Sequence, residues 1–175
     1  EIVRGAVDAP SAQPPTSTDA LVRVGQPMEA MLGTLLLQLG SEGVIDLDAP
    51  VARYWPEFAQ NGKEGVLVRH IMSHTAGLPA WLPPFSFAEA QDTERSTARL
   101  AAQAPWWEPG SRGSYHASTF GHLMAELVRR VTGRPLRDFI AEEIAGPLGA
   151  DFYLGLRDDQ FDSVATVYPA SDAPK

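Results

Sequence analysis

The stretch "LVRVGQPMEAMLGTLLLQLGSEG", residues 21–43, predicts a short strand that runs into a strongly apolar helix. From Pro27 onward, apolar residues recur three and four positions apart and so share one helix face: Met28, Met31, Leu32, Leu35, Leu36 and Leu39. Pro27 suits the first helical turn and Gly43 suits the residue just past the end. Gln26 and Glu29 lie three positions apart at the start, which places them on one side of the helix.

Other segments predict further helices. Residues 118–133, "STFGHLMAELVRRVTG", carry the clearest apolar face and end at Gly133, and residues 135–149, "PLRDFIAEEIAGPLG", continue in the same way. A short helix is predicted in "VLVRHIMSHTAGL", running through His74 and closed by Gly77, and another across residues 86–104. The segment "DFYLGL", residues 151–156, predicts a strand.

Composition excludes several function classes. The net charge of -8 and the lack of a basic tract argue against a nucleic-acid partner. The chain has no cysteine, which excludes disulfides, thiol catalysis and cysteine metal sites. No phosphate loop, dinucleotide-binding glycine pattern or calcium loop occurs, so no cofactor is predicted. The longest apolar run is too short to span a membrane, and no membrane span is predicted.

The compartment stays open from the sequence. No basic-then-apolar signal pattern is visible near Glu1, and both a bacterial cytoplasmic and an exported protein fit. Residues 1–20 are rich in Pro, Ser, Thr and Ala and are predicted to form an N-terminal arm or linker, in which "EIVRGAV" could be a strand. Residues 157–175 are predicted to be a C-terminal tail.

A family resemblance emerges from five segments taken in order. These are "GVIDLDAPVARYWPEF", "VLVRHIMSHTAGLPAW", "WWEPGSRGSYHASTFGHLMAELV", "VTGRPLRDFIAEEIAGPLGA" and "DFYLGL". Together they resemble the β-lactamase-related serine hydrolases, which include class C β-lactamases, penicillin-binding carboxypeptidases and related esterases. The resemblance covers about residues 21–156, interpreted as a partial domain of this family.

The resemblance implies an α+β fold with a β-lactamase/transpeptidase-like architecture. One or two strands cannot form a sheet of normal size, so this chain is predicted to hold mostly the helical portion, with much of the usual antiparallel sheet missing. The chain is therefore expected to be a degenerate or truncated member. A helical piece without its sheet would expose apolar faces, which leaves a homo-oligomer or a complementing chain open as a partner.

The resemblance also implies a catalytic pattern that this sequence lacks. Relatives carry a Ser-x-x-Lys pair at the start of the first helix, and counting back from "DLDAPV" places that pair on Gln26-Pro27-Met28-Glu29. An amide has no useful nucleophilicity, and the lysine is replaced by a carboxylate. Neither Lys63, in the polar loop "QNGKEG", nor Lys175 stands at Ser-x-x-Lys spacing.

The second motif is also incomplete. The Tyr-x-Asn motif of the family reads Tyr115-His116-Ala117 here, and no Lys-Thr-Gly or His-x-Gly motif follows later in the chain. A carboxylate at Glu29 would raise the pKa of the Tyr115 phenol rather than lower it. Tyr115 is therefore interpreted as a structural or ligand-contacting residue, with a catalytic role as the alternative.

Three functions stay open on these residues. The first is a serine hydrolase homologue, of ancestral ester, amide or lactam acyl transfer, that is inactive because Ser-x-x-Lys is lost. The second is a rewired esterase-like hydrolase that uses Glu29 or Ser114 near Tyr115, with Glu29 as a base. The third is a non-catalytic binding or interaction module, for which a small acyl ligand is left open as a partner. The simpler interpretation of Glu29 is an acidic residue stabilised by the helix dipole.

Pocket and metal candidates complete the set. Trp107 and His116 are predicted to line a cleft beside Tyr115, although Trp106 and Trp107 could equally anchor their loop on the core. Ser73 and His74 are adjacent on the predicted helix and cannot form a nucleophile–base pair. His70 and His74 share a predicted face but lack the Glu of a zinc-protease signature, so no metal site is predicted.

Overall fold

The computed structural model describes residues 20–165. That part of the chain is mostly helical, as predicted. Its helices are α1 (Gln26–Ser41), α2 (Val68–Met72), α3 (Phe87–Ala90), α4 (Thr93–Ala102), α5 (Phe120–Thr132), α6 (Leu136–Ile140) and α7 (Gly146–Leu148). A π-helical turn at Ala141–Ala145 joins α6 to α7, and 3₁₀ turns occur at Val51–Arg53, Pro56–Phe58 and Asp158–Ser163.

Helix α5 lies at the centre and packs against α1, α2, α4 and α6. Its apolar face is buried, as the sequence period predicted, and it ends where Gly133 adopts φ +72. Helix α1 contributes a second buried row, Leu32, Leu35, Leu36 and Leu39, each at most 2% exposed. Burying side chains of this size contributes about 1.5–3 kcal/mol each, so these two faces account for much of the core.

The predicted strands are not formed in residues 20–165. Both "LVRVG" and "DFYLGL" lie outside regular strands, and β pairing is limited to isolated bridges, Leu21 with Val164 and Pro50 with Leu67. A strand needs a neighbour to pair its N–H and C=O groups, and the described residues supply none beyond these bridges. The candidate strand "EIVRGAV" lies outside the described residues.

Two predicted helices are shorter than expected. Helix α2 ends at Met72, because His74 takes a left-handed φ of +57, so the prediction of a helix through His74 to Gly77 is wrong. The single helix predicted for residues 86–104 is split into α3 and α4. Asp92 makes the break, since its side chain accepts a hydrogen bond from the Arg95 N–H at 3.0 Å and so caps α4.

Lys63 is buried, contrary to the expectation of an ordinary polar loop residue. Its ammonium donates hydrogen bonds to the carbonyls of Gln60, at 2.9 Å, and Gln103, and lies 5.2 Å from the centre of the Phe58 ring. Asn61 donates to the Ala102 carbonyl at 2.6 Å. These two side chains satisfy carbonyls at the end of α4 that have no partner within the helix. Burial lowers the pKa of Lys63 to about 8.

Candidate functional site

The first turn of α1 presents the positions that the resemblance assigns to catalysis. Gly25 precedes the helix without a side-chain cap, and Pro27 lies in the first turn as expected. Gln26 is exposed, whereas Glu29, one turn later, is partly buried. Leu32 continues the same stripe into the core, which fixes the orientation of this end of the helix.

Glu29 and Tyr115 meet across 86 residues of sequence. The Tyr115 hydroxyl donates a hydrogen bond to Oε1 of Glu29 at 2.6 Å. This hydrogen bond, with burial and the carboxylate charge, raises the pKa of the Tyr115 phenol. The protonated phenol is the form that can donate, so the pair holds Tyr115 as a donor and opposes its use as a base.

His74 completes this cluster. Its Nε2 lies 3.6 Å from Oε2 of Glu29, and its Nδ1 accepts a hydrogen bond from the His116 N–H at 3.3 Å. With Nδ1 as the acceptor, the neutral ring carries its proton on Nε2, facing the carboxylate. The rings of Tyr115 and Phe120 pack against the imidazole, with centroids 5.1 and 4.9 Å away.

No sequence motif indicates that His74 belongs to the site. Its position depends on the left-handed backbone at φ +57, an uncommon conformation for a residue with a side chain. That turn ends α2 and directs the imidazole toward α1 instead of along the predicted helix face. The Ser73 hydroxyl instead donates a hydrogen bond to the Arg69 carbonyl at 2.8 Å, one turn earlier in α2.

His116 lies behind Tyr115 and is 1% exposed. Its Nε2 accepts from the Leu78 N–H at 3.0 Å, and its Nδ1 lies 2.6 Å from the Ser114 carbonyl, so the two contacts favour a proton on Nδ1. Burial lowers the pKa of His116, although the Ser114 carbonyl acts in the opposite direction. The neutral ring therefore acts as a structural link between two loops.

Trp107 packs edge-on to His116, with ring centroids 6.2 Å apart. Its indole N–H is buried and has no hydrogen-bond partner among the described residues. Neither Trp107 nor His116 belongs to the described lining of the groove beside Tyr115. The structure thus places both residues behind the site, and their predicted role in contacting a ligand stays a prediction.

A groove of about 1000 Å³ opens beside Glu29 and Tyr115. One wall comes from the chain before α1 and from the α1 face, and another from residues 151–156. Ala117, at the position where the family motif has Asn, also lines it. Sequence reasoning missed Asp151, Phe152 and Tyr153 as lining residues, since they were assigned to a strand and no motif marks them.

His70 and His74 do not share a site. His70 accepts a hydrogen bond from the Leu67 N–H at its own helix start, 3.2 Å away, and packs beneath Gly110. Between residues 20 and 165, no group of three or more His, Cys, Asp or Glu side chains is arranged to hold a metal ion. None of the helices in that range is long and apolar enough to cross a bilayer.

The family model described as Beta-lactamase matches residues 6–175 of this chain. The chain belongs to the β-lactamase family. The esterase/beta-lactamase LipL of Mycobacterium tuberculosis (strain ATCC 25618 / H37Rv) is 41% identical over 137 residues, which are 78% of this chain and 32% of LipL.

Two solved structures show the same fold. A penicillin-binding protein homologue from Caulobacter crescentus superposes with a TM-score of 0.85 at 37% identity, over 93% of this chain and 44% of that one. A family VIII carboxylesterase gives a TM-score of 0.85 at 40% identity, over 92% and 44%. The described helices are therefore the helical portion of a β-lactamase-like fold, as the sequence predicted.

The matched length differs between this chain and its relatives. The chain spans about a third of the length of the curated relatives it matches. The division into an arm at 1–20, a partial domain at 21–156 and a tail at 157–175 stays a prediction.

Proposed function

We propose that this chain is a β-lactamase-family hydrolase homologue that keeps the ligand groove of its fold and does not form an acyl-serine. The observation that carries the proposal is the hydrogen bond from Tyr115 to Glu29. The family resemblance calls for an ammonium at position 29, which would favour the phenolate. The carboxylate found there favours the protonated phenol.

The missing nucleophile has the larger kinetic consequence. The amide of Gln26 cannot replace a serine hydroxyl, and removal of the nucleophile costs on the order of 10⁶ in kcat in subtilisin. A phenol of ordinary pKa is only about 0.1% ionised at neutral pH, and the pKa of Tyr115 is raised. Nucleophile and base are both impaired, so β-lactamase and esterase turnover are expected to be negligible.

The retained groove supports a binding role. Its volume of about 1000 Å³ lies at the upper end of the range for small-molecule sites, and its described lining is mostly apolar with a few polar groups. A small acyl ligand is the partner that the sequence suggested. Binding of such a ligand needs the groove and a hydrogen-bond donor, but not the serine.

A rewired hydrolase is the second candidate, because Oε2 of Glu29 lies 3.6 Å from Nε2 of His74. A carboxylate beside an imidazole can take a proton from water, which is the arrangement of a general base. In this candidate Glu29 would activate water and Tyr115 would donate a hydrogen bond to the substrate.

The test is hydrolysis of a short-chain nitrophenyl ester by the full chain, beside the double variant Gln26→Ser with Glu29→Lys. No turnover by the unaltered chain is expected, with a gain in the double variant where the groove still orients the ester. Turnover by the unaltered chain that is lost in Glu29→Ala, but kept in the control Glu42→Ala at the other end of α1, would overturn the proposal in favour of the rewired hydrolase.

A further inference from the structure

The described lining of the groove carries a net negative charge. Among the described lining residues, the charged side chains are Arg23, Glu29 and Asp151, so carboxylates outnumber cations. Arg23 is exposed, whereas the Glu29 side chain is 26% exposed and therefore retains more of its field within the groove. Replacing the lysine of the family motif by Glu29 changes the charge at this position from positive to negative.

One of the two carboxylate oxygens of Glu29 accepts no hydrogen bond within the described part of the chain. Oε1 is occupied by the Tyr115 hydroxyl, but Oε2 accepts no hydrogen bond from residues 20–165, since His74 Nε2 stays at 3.6 Å. Neither a lysine nor an arginine in that range forms an ion pair with Glu29. A partly buried carboxylate that has no such partner favours a ligand that brings a cation.

Aromatic rings line the same groove. Tyr115 and Phe120 line the groove near Glu29, and Phe152 and Tyr153 line it on the wall of residues 151–156. Tyr115 is half-exposed. Aromatic faces attract ammonium groups, by about 0.5–2 kcal/mol for each well-placed ring, and they attract neither carboxylates nor sulfonates.

The rest of the lining suits a hydrocarbon chain. Met28 and Leu32 of α1 and Leu154 and Leu156 of the opposite wall contribute apolar surface. A groove of about 1000 Å³ holds a ligand the size of a drug molecule, larger than a simple ammonium ion. The site thus combines the Glu29 carboxylate with an aromatic and aliphatic lining.

We infer that the groove binds an organic cation, an amine or quaternary ammonium that carries an apolar chain. The ammonium lies against Glu29 and the Tyr115 ring, and the chain lies along the α1 face and the wall of residues 151–156. This inference rests on the proposed function, because it assigns a ligand class to the groove that the proposal retains.

The experiment is a calorimetric titration of the full chain with three probes of equal chain length, kept below their micelle concentrations: octyltrimethylammonium, octyl sulfonate and octanol. The cation is expected to bind roughly tenfold more tightly than the anion, which corresponds to about 1.4 kcal/mol. Glu29→Gln is expected to remove that preference, and Glu29→Lys to reverse it. Glu42→Gln, with the same change in net charge just past the far end of α1, is expected to keep it.

The outcomes separate the inference from the proposed function. Equal affinity for all three probes, or a preference that survives in Glu29→Gln, overturns the assignment of a cation to the groove. Neither result contradicts the proposed function. Failure of every probe to bind overturns both the cation site and the binding role. Ester turnover by the unaltered chain overturns the proposed function, while the charge preference is judged by the titration alone.

Discussion

The helical body around α5 and the groove at the start of α1 each hold a carboxylate, but its neighbours differ. They are arginines in the body and a phenol and an imidazole in the groove. In the body, Glu126 is 7% exposed and accepts hydrogen bonds from Arg129 at 2.8 Å and Arg130 at 2.6 Å. In the groove, Glu29 accepts from a phenol and lies near an imidazole. The carboxylate in the body is paired with two arginines, whereas no lysine or arginine of residues 20–165 pairs with the carboxylate in the groove.

The substitution with the largest expected effect on stability is at Gly77, where the helical body contacts the loop of Pro105 and Trp107. Gly77 has φ +79, and a Cβ there would lie 2.8 Å from Pro105 Cβ and 2.9 Å from the Trp107 carbonyl oxygen. Gly77→Ala is expected to lower the free energy of unfolding by about 3 kcal/mol or more in a urea titration.

Gly43→Ala is the matched control for that substitution. Gly43 has a similar φ of +73 but no atom within 4 Å of the added Cβ. Its expected cost is about 1 kcal/mol, which is the backbone strain alone. Equal losses for both variants would show that the contacts with Pro105 and Trp107 contribute nothing.

Lys63→Met tests the buried cation of the body. The substitution keeps an apolar stem of similar length but removes the donor to the Gln60 and Gln103 carbonyls. It is expected to cost about 2 kcal/mol in thermal or urea unfolding, because the Gln103 carbonyl at the end of α4 and the Gln60 carbonyl lose this donor. Arg112→Met, at an exposed position, is the control and is expected to change stability by less than about 0.5 kcal/mol.

The contribution of Lys63 also has a pH dependence of defined sign. Burial lowers its pKa from 10.5 to about 8, so the unfolded chain binds more protons between these values. The desolvation penalty is present in full below pH 8 and is relieved as the pH rises through that window. The stability difference between the chain and Lys63→Met measures this change, and a difference that is constant across the window would contradict it.

Glu126→Gln compared with Glu29→Gln tests the opening contrast directly. The body variant is expected to cost about 1–2 kcal/mol at pH 7, because Arg129 and Arg130 lose a charged acceptor. The groove variant is expected to cost less than about 0.5 kcal/mol, since no described cation depends on it. Similar losses in the free energy of unfolding for the two variants would contradict the difference between the two carboxylates.

Acid should remove the advantage of Glu126. Burial would raise its pKa, but hydrogen bonds from Arg129 and Arg130 outweigh burial and hold the pKa below 4.5. Its stabilisation is therefore complete above the unfolded pKa and is lost as the pH falls through the lowered folded value. Urea midpoints of the chain and Glu126→Gln are expected to converge at low pH.

Tyr115→Phe should have the smallest effect on stability, within about 0.5 kcal/mol, because the phenol is exposed. Its spectroscopic signature is more informative. The Tyr115 phenol is expected to titrate above its usual pKa of 10.0, and Glu29→Gln is expected to bring that pKa down. Ultraviolet difference titration, with Tyr115→Phe as the blank, detects the change. An unchanged titration would show that the two side chains do not interact in solution.

Periodic apolar residues made the body predictable. Helix α5 has a regular apolar face and a terminal glycine, and its predicted bounds lie close to the observed ones. The resemblance assigns Glu29 to the lysine position and Tyr115 to the tyrosine position of the family motifs. The hydrogen bond between these two side chains is consistent with that assignment.

The features that sequence reasoning missed depend on single backbone angles or distant contacts. No local pattern shows that His74 turns left-handed, and that angle decides both the end of α2 and the approach to Glu29. The burial of Lys63 depends on a carbonyl 40 residues away. The strand predicted for residues 151–156 is not formed. A strand is stable only when a neighbouring strand pairs with it, and the sequence of one segment does not show whether that neighbour is present.

The burial of Lys63 has a practical consequence for labelling. It is the one lysine within residues 20–165, and its amine lies beneath the 60–65 loop with no exposed surface. Amine-reactive reagents and trypsin can reach this side chain only when the loop opens. The rate at which Lys63 becomes acylated would therefore report how often the end of α4 comes apart while the rest of the protein stays folded.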